Sequence, residues 1–206
     1  MSPEIRPYRP ADRDDIARVC LRTGASGGDA TGWYSDDTLL PDLAAVPYLE
    51  YAPDLALVVD DGERAAGYLI GVADTAAFIE WWRREWVPVV AARHPGPGAP
   101  TAHTPRISEE LLLEVGRQPE VMRLPELDAY PAQLHVNLLP EVQGQGLGRR
   151  LVDRFRAMLA ARGVPALHLG IDPDNVGARA FYDCLGFHEL PSSTPQHPLF
   201  GIATTP

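Results

Sequence analysis

The segment QLHVNLLPEVQGQGLGRRLVDRFRAML, residues 133–159, constrains the fold more than any other part of this 206-residue chain. A β-rich run, QLHVNLL, enters a loop containing Gly144, Gly146 and Gly148. Leu147, Leu151, Phe155, Met158 and Leu159 then recur on one helical face. Gly163 and Pro165 stop that helix near Arg162. ALHLGI follows as a second strand. Strand, loop, helix and strand with such short connections predict a parallel pair with a right-handed crossover.

The rest of the chain supplies elements to pack around that unit. EIRPYR (4–9) reads as a strand. A helix follows, with Asp12, Asp14 and Asp15 in its first turn, an apolar stripe of Ile16, Val19 and Cys20, and Gly24 at its end. ASGGDATGWYS is a glycine-rich loop, and DDTLLPDLAAVPYLE a helix interrupted by Pro41. LALVVDD and AAGYLIGVAD, joined through Gly62 and Glu63, form a hairpin. Residues 76–93 are helical, broken or kinked at Pro88, and HPGPGAPTAHTPR is a Pro/Gly loop. Ser108 caps ISEELLLEVGR, NVGARAFYDCLG is a last helix ended by Gly186, and FHEL and LFGIATT are final strands.

Composition excludes several classes. The net charge of −10 argues against nucleic acid and anionic membranes, which require excess Lys and Arg. The N-terminus lacks the apolar run of a signal peptide, and no stretch approaches the roughly 20 apolar residues of a spanning helix. A cytoplasmic protein is expected. Cys20 and Cys184 match no zinc spacing and are expected as buried free thiols, so no metal is predicted.

The glycine loop has the character of a phosphate cradle. Free N–H groups at a helix start, together with the helix dipole, attract anions. Arg149 and Arg150 oppose the dipole in the first turn, which makes sense if an anion binds there. A P-loop needs Lys then Ser or Thr after its last glycine, and Arg149 and Arg150 stand there instead. The dinucleotide fingerprint needs a glycine at 149. The register that fits is Gln143, two residues, Gly146, one residue, Gly148. Downstream, IDPDNVGARAFYDCLGF carries Asn175, Ala178, Phe181, Tyr182, Gly186 and Phe187.

With Leu138, Leu139 and Pro140 before the loop, these two motifs resemble those of the GNAT N-acetyltransferase superfamily. That resemblance implies an α/β fold. Its central sheet is mixed, mostly antiparallel and twisted, with a splayed parallel strand pair and helices on both faces. A single domain, 1–206, would carry a helical and Pro/Gly-rich insertion at about 76–130. The cofactor implied is acetyl-CoA, with its pantetheine arm in the gap beside Leu138 and Leu139. Its pyrophosphate would lie on Gln143, Gly144, Gln145, Gly146, Leu147, Gly148 and Arg149. Asn175 would bond the pantetheine, and Tyr182 would protonate the leaving thiolate. The reaction implied is direct acetyl transfer to an amine, with backbone N–H groups near Leu138 facing the oxyanion.

The base is not fixed by the resemblance. His135 on the strand is one candidate, with Asn137 as its neighbour on the same face, and Asp29, Glu80, Asp172 and Asp174 are others. TGASGGDATGWYSDDTLLPDLAAVPYL and GYLIGVADTAAFIEWWRREWVPVV are similar to the C-terminal acetyltransferase-like domain of O-GlcNAcase and its free-standing bacterial homologues. In the animal enzymes that domain is regarded as a pseudo-acetyltransferase with a degraded CoA loop. A non-catalytic acetyl-CoA-binding or scaffold domain is therefore the alternative to an enzyme. The loop holding Asp29 and Trp33 is where the superfamily usually closes over its acceptor. Trp81, Trp82 and Trp86 are either core, an acceptor wall or a dimer face. The acceptor, a small-molecule or peptide amine, and the choice between monomer and homodimer stay open.

Overall fold

The computed structural model describes residues 2–99 and 101–205. Seven strands form one sheet: β1 (Glu4–Pro7), β2 (Leu57–Asp60), β3 (Ala65–Val72), β4 (Ala132–Leu138), β5 (Ala166–Gly170), β6 (His188–Glu189) and β7 (Leu199–Ala203). Their order is β1-β2-β3-β4-β5-β7-β6. Every neighbouring pair is antiparallel except β4 and β5. This is the mixed, mostly antiparallel sheet expected from the sequence.

The parallel pair is brief. Only Ala132 with Leu167 and Gln133 with His168 are in register. Beyond them β4 runs on beside β3 as far as Leu138, while β5 turns to β7. A wedge therefore opens between the two strands. The N–H of Leu139 bonds Ala66 O at 2.9 Å. Ladder groups alternate along an antiparallel strand, so the N–H groups of Val136 and Leu138 point away from β3 and into the wedge.

Helices cover both faces. On one lie α1 (Arg13–Arg22), α2 (Leu39–Ala44) and α3 (Val46–Tyr51), with Tyr68 of β3 reaching Cys20 of α1. On the other lies α7 (Leu147–Ala160), whose Phe155 sits where a Cβ on Gly71 would come within 2.5 Å. Leu147, Leu151, Phe155 and Leu159 of α7 are all buried, as their spacing requires. α8 (Val176–Leu185) starts at Asn175, whose side chain accepts from Ala178 N, and ends at Gly186 with φ 87.

The insertion contributes α4 (Thr75–Trp81), α5 (Val87–Arg93) and α6 (Glu109–Arg117). Ser108 accepts from Leu111 N and caps α6 as its sequence predicts. Pro88 leaves its mark one turn earlier, where Trp82–Trp86 widens into a π turn. Proline supplies no N–H and crowds the carbonyl four residues back, so the widened turn absorbs both effects. One buried cluster joins this insertion to the sheet, including Phe78, Trp82, Trp86 and Val90. Trp82 Nε1 donates to Gly116 O at 2.9 Å and Trp86 Nε1 to Asp42 O at 2.8 Å. Both rings are core rather than surface.

Two sequence expectations are corrected. The helix of residues 39–51 breaks at Ala45, not Pro41. Pro41 falls in the first turn of α2, where no N–H is needed, whereas Pro47 forces a new helix start. Cys20 is buried as expected, but Cys184 is exposed. Tyr182 points into the core, and two residues later the helix has turned by about 200°, which carries Cys184 outward.

Candidate active site

The α7 loop is an open cradle. Gly144 and Gly146 have φ of 72 and 73, a region that excludes most side chains. A Cβ built on either meets nothing within 4 Å, so the space over the loop is free. Gly148 is different, because a Cβ there would stand 3.0 Å from the Phe181 ring. Two glycines shape the turn and the third lets α7 pack against α8. No side chain caps α7, and its first-turn N–H groups face the open space. Gln143 Nε2 donates to Leu138 O at 2.8 Å and ties the loop to the end of β4.

This loop is the floor of a cavity of about 690 Å³. Leu138, Gln143, Gly144, Gly146, Leu147, Gly148, Arg149, Asn175 and Tyr182 line it, which unites the two sequence motifs. Leu139 and Gln145 do not line it. Leu139 is buried behind the strand end, and Gln145 Nε2 turns back to Glu141 O at 3.1 Å. Arg149 bonds Cys184 O at 3.0 Å, which fixes the guanidinium at the rim. Asn175 spends its Oδ1 on the α8 cap, leaving its Nδ2 toward the loop at Gly27. Burial raises the Tyr182 phenol well above its ordinary value and keeps it protonated.

The sequence reading missed one wall of this cavity, made by Thr23, Ser26 and Gly27 of the α1–α2 loop. Asn137 joins that wall, donating to Thr23 Oγ1 at 2.6 Å. No spacing signal links residues more than a hundred positions apart. Only the cross-strand pairing of Asn137 with Tyr68, on the α1 side of the sheet, brings them together.

His135 lies on that same side but outside the cavity. It lines a second one of about 280 Å³, bounded by α2, α3, the insertion and the opening strands. Its Nε2 is 3.0 Å from the Tyr48 hydroxyl. Burial, with a smaller push from His168, lowers the imidazole to about 4 and keeps it neutral. The carboxylates named as alternative bases line neither cavity. Asp172 accepts from Ser26 at 3.0 Å and Arg106 at 2.7 Å, and its Oδ1 accepts from Asp174 N at 2.9 Å. Glu80 pairs with Arg83 and Arg123 on an exposed helix face. Asp29 accepts from Thr31 N at 2.9 Å and lies 3.6 Å from Arg22. Trp33 stacks on His103, 6.3 Å between ring centroids. Neither Asp29 nor Trp33 lines either of these two cavities.

No helix among the described residues is long and apolar enough to cross a membrane. The acetyltransferase (GNAT) family profile matches residues 129–187, which hold β4, the loop, α7, β5 and α8. The chain is 43% identical to the protein in a crystal structure titled SsHAT, with a TM-score of 0.89 and all of both chains covered. Protein O-GlcNAcase of Rattus norvegicus is 23% identical over 186 residues, 90% of this chain and 20% of that protein. The chain thus spans about a fifth of the length of this curated relative. The protein yncA of Salmonella typhimurium, solved with its cofactor acetyl-CoA, is 15% identical. It has a TM-score of 0.57 over 99% of this chain and 95% of its own, a likeness in fold.

Proposed function

The chain belongs to the acetyltransferase (GNAT) family, and from that premise we propose that it binds acetyl-CoA and transfers the acetyl group directly to an amine. The observation that carries this reading is the cradle. Uncapped N–H groups of α7, free space over Gly144 and Gly146, and Arg149 at the rim suit a pyrophosphate. The wedge beside Val136 and Leu138 offers unpaired backbone to an extended arm, in the manner of an added strand.

Acetyl-CoA supplies an activated acetyl thioester. The protein's own groups do the rest. The inward N–H of Val136 or Leu138 is aimed where a carbonyl oxygen gains negative charge. Tyr182, protonated and at the cavity wall, donates its proton to the departing sulfur. Asn175 holds the arm in line, and Gln143, bonded to Leu138 O, fixes the loop that would carry the pyrophosphate. Cys184 needs no part in direct transfer.

The competing reading is binding without turnover. One observation favours it: no carboxylate among the described residues lines either cavity, so no strong base awaits a charged amine. Two measurements separate the readings. Acetyl-CoA at about 100 times its Kd should stabilise the fold by roughly 2.7 kcal/mol. Absence of any thermal shift refutes both. Thiol release in the presence of amines then distinguishes enzyme from binder.

A further inference from the structure

The second cavity is not explained by donor binding. It adjoins the donor cavity along a single strand. Val136, Asn137 and Leu138 line the donor cavity, and Leu134 and His135 line the second. Leu169 and Gly170 of β5 close it, just past the last residues paired with β4. At about 3.3 Å of rise per residue, Leu134 and Val136 lie about 7 Å apart. The two cavities thus adjoin at the step from His135 to Val136 on β4.

Its walls are apolar, among them Leu40, Leu43, Trp82 and Met122. No charged side chain lines it among the described residues. The polar side chains are Gln133, the hydrogen-bonded Tyr48–His135 pair, and Trp82, whose N–H is bonded to Gly116 O, all uncharged. Two of the exposed large apolar side chains, Val115 at 38% and Val121 at 54%, stand at its mouth. At about 280 Å³ it falls just below the usual span of ligand cavities, roughly 300 to 1,000 Å³, and suits only a small ligand.

These walls select the charge state of what enters. An ammonium would lose its water and meet no carboxylate, which is strongly unfavourable. An alkyl amine with the basicity of a lysine is neutral in only about one molecule in 2,500 at pH 7. An amine conjugated to an aromatic ring is neutral throughout that range and carries the ring that these walls fit. We propose that the second cavity is the acceptor pocket and that its acceptor is a small aromatic amine, uncharged at neutral pH. This rests on the donor reading above. The transfer balances without a redox partner: a C–N bond forms, the C–S bond breaks, nitrogen loses one proton and sulfur gains one. The chain's net charge of −10 would attract a cationic acceptor. The pocket's own chemistry points away from one.

Two isomers test this, 4-ethylaniline, which is neutral, and 2-phenylethylamine, which is cationic, with spermidine as a polycation. Turnover with acetyl-CoA should give 4-ethylaniline a kcat/KM at least about tenfold above the other two at pH 7.5. The exposed mouth residues allow variants that fold. Val115→Asp and Val121→Asp should raise KM for 4-ethylaniline about fivefold, leave acetyl-CoA affinity unchanged and lower KM for 2-phenylethylamine. Equal or better transfer to the cations overturns the inference, as does a KM for 4-ethylaniline indifferent to both substitutions. So does acetyl-CoA binding with no transfer to 4-ethylaniline. Failure of acetyl-CoA to stabilise the protein instead removes the donor reading, and this inference falls with it.

Discussion

The two cavities that adjoin between His135 and Val136 are built from different materials. The donor cavity is built on a glycine turn, the start of α7 and the unpaired edge of β4, with Asn175, Phe181 and Tyr182 of the α8 segment beside them. The second has no such loop and is lined mainly by apolar residues of α2, α3, the π turn, α6 and the two opening strands. Backbone cradles recognise a fixed charge and tolerate little change in shape. Side-chain walls recognise size and polarity, and can be rebuilt one residue at a time. On the readings proposed above, donor recognition falls to the first and acceptor discrimination to the second.

Tyr182→Phe tests that division most severely. Loss of the proton donor should lower kcat by a factor on the order of 10² or more, while KM for the amine and the Kd of acetyl-CoA move less than threefold. Because burial raises the phenol above its usual value, the wild-type rate should not fall through pH 10 from loss of this proton. A rise in amine KM with kcat preserved would break the division and make Tyr182 an acceptor contact.

Gly146→Val acts on the backbone cradle alone. A β-branched residue at φ 73 is strained by about 1–2 kcal/mol, and its Cβ enters space that is otherwise open. Calorimetric titration should show acetyl-CoA binding weakened by roughly thirtyfold, beyond any loss of fold stability seen in a melting curve. Undiminished affinity would mean that the pyrophosphate does not rest on this turn.

How much of each cavity could be read from the sequence follows from the same difference. Gln143, Gly146, Gly148, Asn175 and Tyr182 are close in the chain, and fixed helical and strand periods carry them to one place. The parallel pairing of β4 with β5 was legible for that reason, whereas the split between them followed only from the family resemblance. Leu40, Trp82, Val115 and Leu169 share a cavity only through tertiary packing, and no local pattern encodes that. His135 shows the limit well. Its strand and face follow from alternation, but its separation from the donor cavity depends on Tyr48, which arrives from α3.

A pH experiment sharpens the account of the acceptor side. His135 titrates near 4 in the folded chain and near 6.5 when unfolded. Its lowered value means the unfolded state takes up the proton more readily. The stability it contributes is complete above about 6.5 and is lost as pH falls through 4. The wild type should therefore lose about 5 °C more of its melting temperature between pH 6.5 and 4 than His135→Gln does. Parallel curves would show an imidazole already hydrated, in a pocket wetter than its apolar walls suggest.

The smallest effect expected is at Asp29, which the sequence offered as an acceptor contact. The carboxylate is half exposed, accepts from Thr31 and lies beside Arg22. Hydrogen bonds from Thr31 hold it below the usual carboxylate range, which marks a turn-forming aspartate. Asparagine keeps the acceptor oxygen that the turn needs. Asp29→Asn should change kcat and amine KM by less than about twofold, within the range of neutral surface substitutions. A fivefold rise in amine KM would place the glycine-rich loop over the acceptor. The apolar cavity would then be a feature of packing, and the acceptor would approach from the α1–α2 side, past Ser26 and Gly27.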